Sequence, residues 1–340
     1  MPDILTHVYC ADFTKKHFED SIVMRQIIDK HISAFYLGAQ GPDFFFYYRI
    51  WPWKNNASIP KMADRIHKSK TDDFLLEAID TIIKTDLGSK AGQMILAYWM
   101  GFLCHYALDT TAHPFIYYHS GINKDNDSKA KGDHNNHKFL ENIIDTIMSK
   151  KYENIMGLPR NQADCLPKDA DTLMPVYESI SDVIQNVYQE DVSADIIRDA
   201  VADMRRLIVI MNDPKHRLRW WFNKAESLIS KPKYITTAAF PAGSNLHYDF
   251  MNMNHNTWVH PCDKSIEYKE SFQDLFDTSI ERAVELLEFA WDTIRGDQTK
   301  EEFKSLVGGL SYDTGLPCTD PRKLRYSDSI FTKYDIKAYK

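Results

Sequence analysis

The strongest constraint on the fold is the segment from Ile95 to Tyr106, which reads Ile-Leu-Ala-Tyr-Trp-Met-Gly-Phe-Leu-Cys-His-Tyr. It is apolar on nearly every side, the pattern of a helix buried in the interior of a helical protein. Directly beyond it stands a carboxylate, within His105-Tyr-Ala-Leu-Asp109-Thr-Thr-Ala-His113. Burying an unpaired carboxylate is expensive enough that it either protonates or finds a cation. A divalent metal keeps it ionised. Residues four apart in a helix differ by about 40° in rotation and about 6 Å in rise, so His105 and Asp109 share a face. A second block with the same step follows, His137-Lys-Phe-Leu-Glu141, which places five good zinc ligands within 37 residues. The competing reading has two amphipathic helices whose histidines and acids merely satisfy one another by hydrogen bonds. It accounts less well for five ligands in two spaced blocks. A carboxylate has two oxygens and can serve two cations, so a pair of facing helices of this kind can hold more than one ion.

The rest of the chain reads as mainly α. Apolar residues at three- and four-residue spacing predict helices over about 11–35, 61–84, 88–113, 134–150, 170–188, 193–212, 219–230 and 265–295. Pro114 disfavours the α conformation at His113, so the third of these is expected to end or kink there. Strand signals are confined to short apolar runs such as Phe44-Phe-Phe-Tyr-Tyr48. The Pro, Gly and Asn residues of 232–262 mark an irregular connection, after which 265–295 either starts a separate part or packs back on the same bundle.

With 44% apolar residues in a chain of 340, a sizeable core can be buried. The net charge of −7 and the lack of a long basic run argue against a duplex nucleic acid partner. Neither a secretory leader nor a transmembrane segment is evident, and Cys10, Cys104, Cys165, Cys262 and Cys318 are spread without a CxxC pair. These features predict a cytoplasmic protein with reduced thiols.

Upstream lie three further residues of interest: His7 in Leu5-Thr-His-Val, Asp43 in Gly41-Pro-Asp, and His67 in Arg65-Ile-His-Lys. Each has a plain alternative, since Gly-Pro-Asp is good turn chemistry in itself and the other two sit in stretches that read as an ordinary helix start and a solvated helix. The loop from Gly38 to Gly41 lacks the lysine of a phosphate-cradling loop and is no nucleotide site. The aromatic run 44–48, with Trp51 and Trp53, is expected to pack in the core, the alternative being the wall of a cleft for acyl chains or a head group. His17, His31 and His119 are expected to be structural or at the surface, the pair His255 and His260 structural or part of a cleft wall, and His134 lacks the four-residue step to Glu141 that His137 has.

Taken in order along the chain, His7, Gly41-Pro42-Asp43, His67, His105-x3-Asp109-x3-His113 and His137-x3-Glu141 resemble the zinc-dependent phospholipase C family. The resemblance implies an all-α bundle with a metal cluster of two or three Zn2+ ions between its helices, in a domain spanning 1–231, with 232–340 an irregular connection and a helical C-terminal part. It implies that His67, His105 and Asp109 hold one ion with help from Asp43, that His113, His137 and Glu141 hold a second, and that His7 and a bridging Asp109 hold a third. Secreted relatives complete the third site with the amine of a mature N-terminal tryptophan. A chain that begins Met1-Pro2 is expected to bind that ion most weakly or not at all. The implied activity is hydrolysis of a phosphodiester, with a phospholipid or head-group ester as substrate and Asp43 as the catalytic carboxylate. Two rivals are a zinc nuclease of the S1/P1 type, which shares this ligand logic, and a non-catalytic zinc-stabilised binding protein.

Overall fold

The computed structural model describes residues 4–17, 22–50, 58–122, 130–155, 157–211 and 248–334. Its axis is the predicted buried helix, α6, which runs from Lys90 to Ser120. Ser89 caps its start by accepting from the Gly92 amide at 3.0 Å, a contact worth about 1 kcal/mol. Phe102, Leu103, Leu108 and Phe115 are all essentially fully buried along it, and each contributes roughly 1.5–3 kcal/mol by leaving water.

The other helices surround this axis. α1 (Ile4–Lys16), α2 (Ile22–Lys30) and α3 (Ile32–Gly38) pack against α6, followed by α4 (Ser58–Lys68), α5 (Thr71–Ile83), α7 (Ala130–Tyr152), α8 (Met174–Tyr188) and α9 (Ala194–Met211). The later chain forms α10 (Phe272–Arg295), α11 (Lys300–Val307) and the short α12 (Ile330–Lys333). α10 lies along both α6 and α1, and its apolar residues Phe272, Phe276, Leu286 and Leu287 join the same buried cluster as α6. A capping box between Ser271 and Asp274 starts it.

Several boundaries differ from the sequence expectation, each for a local reason. The single helix expected over 11–35 begins earlier, at Ile4, and is divided into α1, α2 and α3, with His31 in a non-helical conformation between the last two. The helix expected over 61–84 breaks at Lys70, which adopts φ 54°, after the Ser69 hydroxyl turns back to the Arg65 carbonyl. The aromatic run is a 3₁₀ helix, Asp43–Tyr47, rather than a strand, because Pro42 with its ring-fixed φ of −86° turns the chain there.

The strands lie elsewhere: β1 (Trp258–His260) pairs antiparallel with β2 (Asp263–Tyr268) through a register irregularity at Val259/His260. The helix expected from 265 therefore starts only at Phe272. The helix predicted over 219–230 lies outside the described residues, as do Trp51, Trp53 and the His134 side chain.

Pro114 neither ends nor interrupts the helix, since α6 continues six residues past it. Proline cannot donate to the Thr110 carbonyl one turn earlier, and the C-terminal segment comes in against that carbonyl. Gly315, at φ 65°, sits so close that a Cβ there would lie 2.3 Å from Thr110 O.

Candidate metal centre

Four helices and one turn converge on Asp109. α6 supplies His105, Asp109 and His113 on successive turns of one face; α7 supplies His137 and Glu141; α1 supplies His7; the last turn of α4 supplies His67; and Asp43 opens the 3₁₀ helix after the Gly41-Pro42 turn. All are buried except His137, which is half-buried.

The distances describe a hub. Asp109 Oδ1 lies 3.4 Å from His7 Nε2, and Oδ2 lies 3.1 Å from His105 Nε2 and 3.9 Å from His67 Nε2. His67 Nε2 stands 3.4 Å from Asp43 Oδ1. Farther along α6, His113 Nε2 is 3.8 Å from Glu141 Oε1, which is 2.8 Å from His137 Nε2. Three sets of donor atoms result, each within 4.8 Å: His7, His105 and Asp109; Asp43, His67 and His105; and His113, His137 and Glu141. All eight residues predicted from sequence are brought together, and the structure adds His105 to the neighbours of His7.

These spacings fit a cation better than they fit hydrogen bonds. Ligands about 2.0–2.1 Å from a tetrahedral zinc stand about 3.3 Å from one another, close to most of the separations around Asp109. Both Asp109 oxygens, Asp43 Oδ1, both His7 nitrogens, His105 Nε2 and His113 Nε2 are buried without a hydrogen-bond partner among the described residues, the 3.1 Å approach of His105 to Asp109 included. Each such atom costs about 1–3 kcal/mol. So many at one point is a donor set that a metal satisfies and the protein alone does not.

The histidines are held in the tautomer that coordination needs. A backbone carbonyl can only accept, so Nδ1 carries the proton in His67 against Ala63 O at 2.7 Å, in His105 against Ala39 O at 3.2 Å, and in His113 against Tyr312 O at 2.8 Å. Each ring then turns its Nε2 lone pair toward the centre. Burial holds His7 below the ordinary histidine range and His113 down at about 4, which keeps both neutral. Burial alone would raise the Asp109 carboxyl, but the imidazoles of His105, His113 and His7 outweigh it and hold it well below the usual range. Asp43 is lowered in the same way by His67 and His105, again against its burial. His67 is raised, because Asp43 more than offsets its burial.

Tyr312 was not anticipated from the sequence. Besides orienting His113, it donates its amide to the His67 carbonyl at 2.9 Å, and its ring packs edge-on against His67 at 4.9 Å. His260 fixes the same loop, donating from Nε2 to Thr314 O at 2.9 Å, and so plays the structural role expected of it. His31 is likewise structural, beside Gln93 at 3.3 Å, and His119 packs on Phe115 with ring centroids 4.2 Å apart. A signal was present for the Tyr312 loop in Gly308-Gly309 and Gly315, glycines marking tight turns and close approach.

Gly41 explains how Asp43 reaches the centre. Its φ of 55° lies in the left-handed region, and a Cβ at this position would meet His105 Cδ2 at 2.1 Å. Gly41→Ala is expected to push the turn off His105, to destabilise the fold by more than about 1 kcal/mol, and to lower zinc content. Melting and elemental analysis of the purified variant check this; unchanged values in both would show that the turn and His105 are not mechanically linked.

The sequence pattern of the zinc-dependent phospholipase C family matches residues 6–211. Comparison with curated proteins and with solved structures gave no significant match. The matched stretch is more than half of the chain and contains all eight residues of the cluster, from His7 to Glu141, whereas the supporting Tyr312 loop lies beyond it. On this evidence the chain belongs to the zinc-dependent phospholipase C family.

Proposed function

We propose that the protein is a zinc-dependent phosphodiester hydrolase of phospholipase C type, acting on a phospholipid or a head-group phosphodiester. The observation that carries the reading is Asp109, a fully buried carboxylate surrounded by imidazoles at metal-ligand spacing, inside the stretch that matches the family.

His67, His105 and Asp109 would hold one ion with Asp43 beside them, and His113, His137 and Glu141 would hold a second. His7, with Asp109, would hold a third. His105 has one lone pair to give, because its Nδ1 is engaged by Ala39 O, so it cannot complete two sites at once. With His105 given to the first ion, the site at His7 has the fewest protein ligands among the described residues, and its ion is the most weakly held.

Zinc held there would lower the pKa of a coordinated water toward neutrality, hold the non-bridging phosphate oxygens and stabilise the leaving alkoxide. The chain's own contribution is placement. Asp43 turns Oδ1 toward His67, and its other oxygen accepts the proton of the attacking water, help worth about 10²–10⁴-fold in rate. The Ala63, Ala39 and Tyr312 carbonyls keep three imidazoles aimed without cost at the moment of reaction. Phe46, 38% exposed and stacked on His67 with ring centroids 6.0 Å apart, offers an apolar surface beside the phosphate position.

Hydrolysis of a chromogenic phosphodiester should fall by at least about tenfold in Asp43→Asn. A choline phosphodiester should be cleaved in preference to single-stranded DNA. If wild type and variant are equally inert on phosphodiester and phospholipid substrates, the protein is a zinc-stabilised binding protein instead; preference for the single strand would assign it to the nuclease type.

A further inference from the structure

α7 carries a third acidic residue in step with the two ligand positions. Asp145 follows Glu141 by four residues and is fully buried, but it points to the first turn of α1 and not to the metal centre. Its Oδ1 accepts from the Thr6 amide at 2.6 Å and from the Thr6 hydroxyl at 2.8 Å; its Oδ2 accepts from the Leu5 amide at 3.4 Å and from Gln162 Nε2 at 3.0 Å.

These four donors are neutral, and with the positive end of α1 they offset part of the cost of burying this charge. A hydrophobic side chain at this position would also hold α1 against α7. It would leave the helix free to slide along its axis or turn about it, whereas a carboxylate bonded to two successive amides admits one register. That register matters at the very next residue. His7 follows Thr6, and its Nε2 meets Asp109 Oδ1 at 3.4 Å; a rotation of α1 by one residue, about 100°, would carry the imidazole away from the hub.

We propose that Asp145 is a positioning residue of the metal centre: it sets the register of α1 against α7 so that His7 faces Asp109. The proposal rests on the reading of His7 as a ligand of the weakest ion.

The test is stepwise release of zinc from the loaded full-length protein to a chromogenic chelator. It compares wild type, Asp145→Ala, Thr6→Val, Thr6→Ser, His7→Ala and the Asp145→Ala/His7→Ala double variant, with melts of the chelated forms alongside. Asp145→Ala should weaken the earliest-leaving ion by about 10–100-fold, the usual effect of removing an outer-shell support, and leave the later ions unchanged. The double variant should lose no more than His7→Ala alone, because both act on one site. Thr6→Val removes a single hydroxyl contact and should weaken the same ion to a smaller degree, with Thr6→Ser restoring it. This smaller change decides the matter if Asp145→Ala does not fold. A lower melting point with the early ion held as tightly as in wild type, in both Asp145→Ala and Thr6→Val, would make Asp145 structural only and overturn the proposal. If His7→Ala itself keeps the full zinc content with unchanged release, the ligand reading of His7 fails and the positioning role falls with it; that outcome is recognisable in the single His7 variant.

Discussion

Asp109→Asn is expected to cost the protein more than one equivalent of zinc and to reduce phosphodiester hydrolysis by at least about 100-fold. The substitution is nearly isosteric, but it replaces an anion with two metal-binding oxygens by a neutral amide with one. The amide NH2 then faces either His7 Nε2 at the Oδ1 position or His105 Nε2 at the Oδ2 position, 3.4 Å and 3.1 Å away in the native structure. Because His7, His105 and His67 all lie within 3.9 Å of this carboxylate, the loss spreads beyond one ion. Metal stabilisation of the transition state is worth several kcal/mol, and each 1.36 kcal/mol is tenfold in rate, so 100-fold is a lower bound. Elemental analysis and a rate assay on the same sample check both parts; a variant with the full zinc content would remove Asp109 from its bridging position.

Chelation should destabilise the fold itself, by about 5 kcal/mol for two ions present at about 100 times their dissociation constants, since each such site contributes about 2.7 kcal/mol. The ligands are drawn from widely separated parts of the chain. His7 comes from α1, Asp43 from a turn, His67 from α4, and the ligands of α6 and α7 from two long helices. Without a cation, the buried Asp109 oxygens and the Nε2 atoms of His7, His105 and His113 are left without hydrogen-bond partners among the described residues, a penalty that unfolding relieves. Denaturant melts of zinc-loaded and chelated protein measure it directly. Coincident curves would mean that the ions are held by a scaffold already fully stable without them.

Much of the centre was legible in the sequence because helical spacing converts directly into shared faces. His105, Asp109 and His113 fall on one side of α6, and His137 and Glu141 on one side of α7, as the four-residue steps require. The single Asp just beyond the apolar stretch Ile95–Tyr106 carried the most information, since burial without a cation is so costly. His7, Asp43 and His67 were placed by their order along the chain, because nothing in their own surroundings singles them out.

What escaped prediction depended on contacts distant in sequence. Pro114 signals a helix end locally, yet α6 runs on, and Gly315, two hundred residues later, packs on the freed Thr110 carbonyl. Tyr312 acts largely through its backbone groups, on which the side-chain pattern is silent. Asp145 was visible in principle as the third member of the series His137, Glu141, Asp145, but its partners on α1 are about 140 residues away. The aromatic run 44–48 reads equally as strand or buried turn, and Pro42 decided for the turn.

If these residues form a zinc centre that hydrolyses phosphodiesters, one rate decides it: that of a choline phosphodiester turned over by a single preparation as purified, after exhaustive chelation, and after zinc is restored. The predicted sequence is activity, loss and recovery, with recovery following the zinc content of the protein. Equal rates in all three states, or no turnover in a sample shown to carry two or more zinc ions, would contradict it.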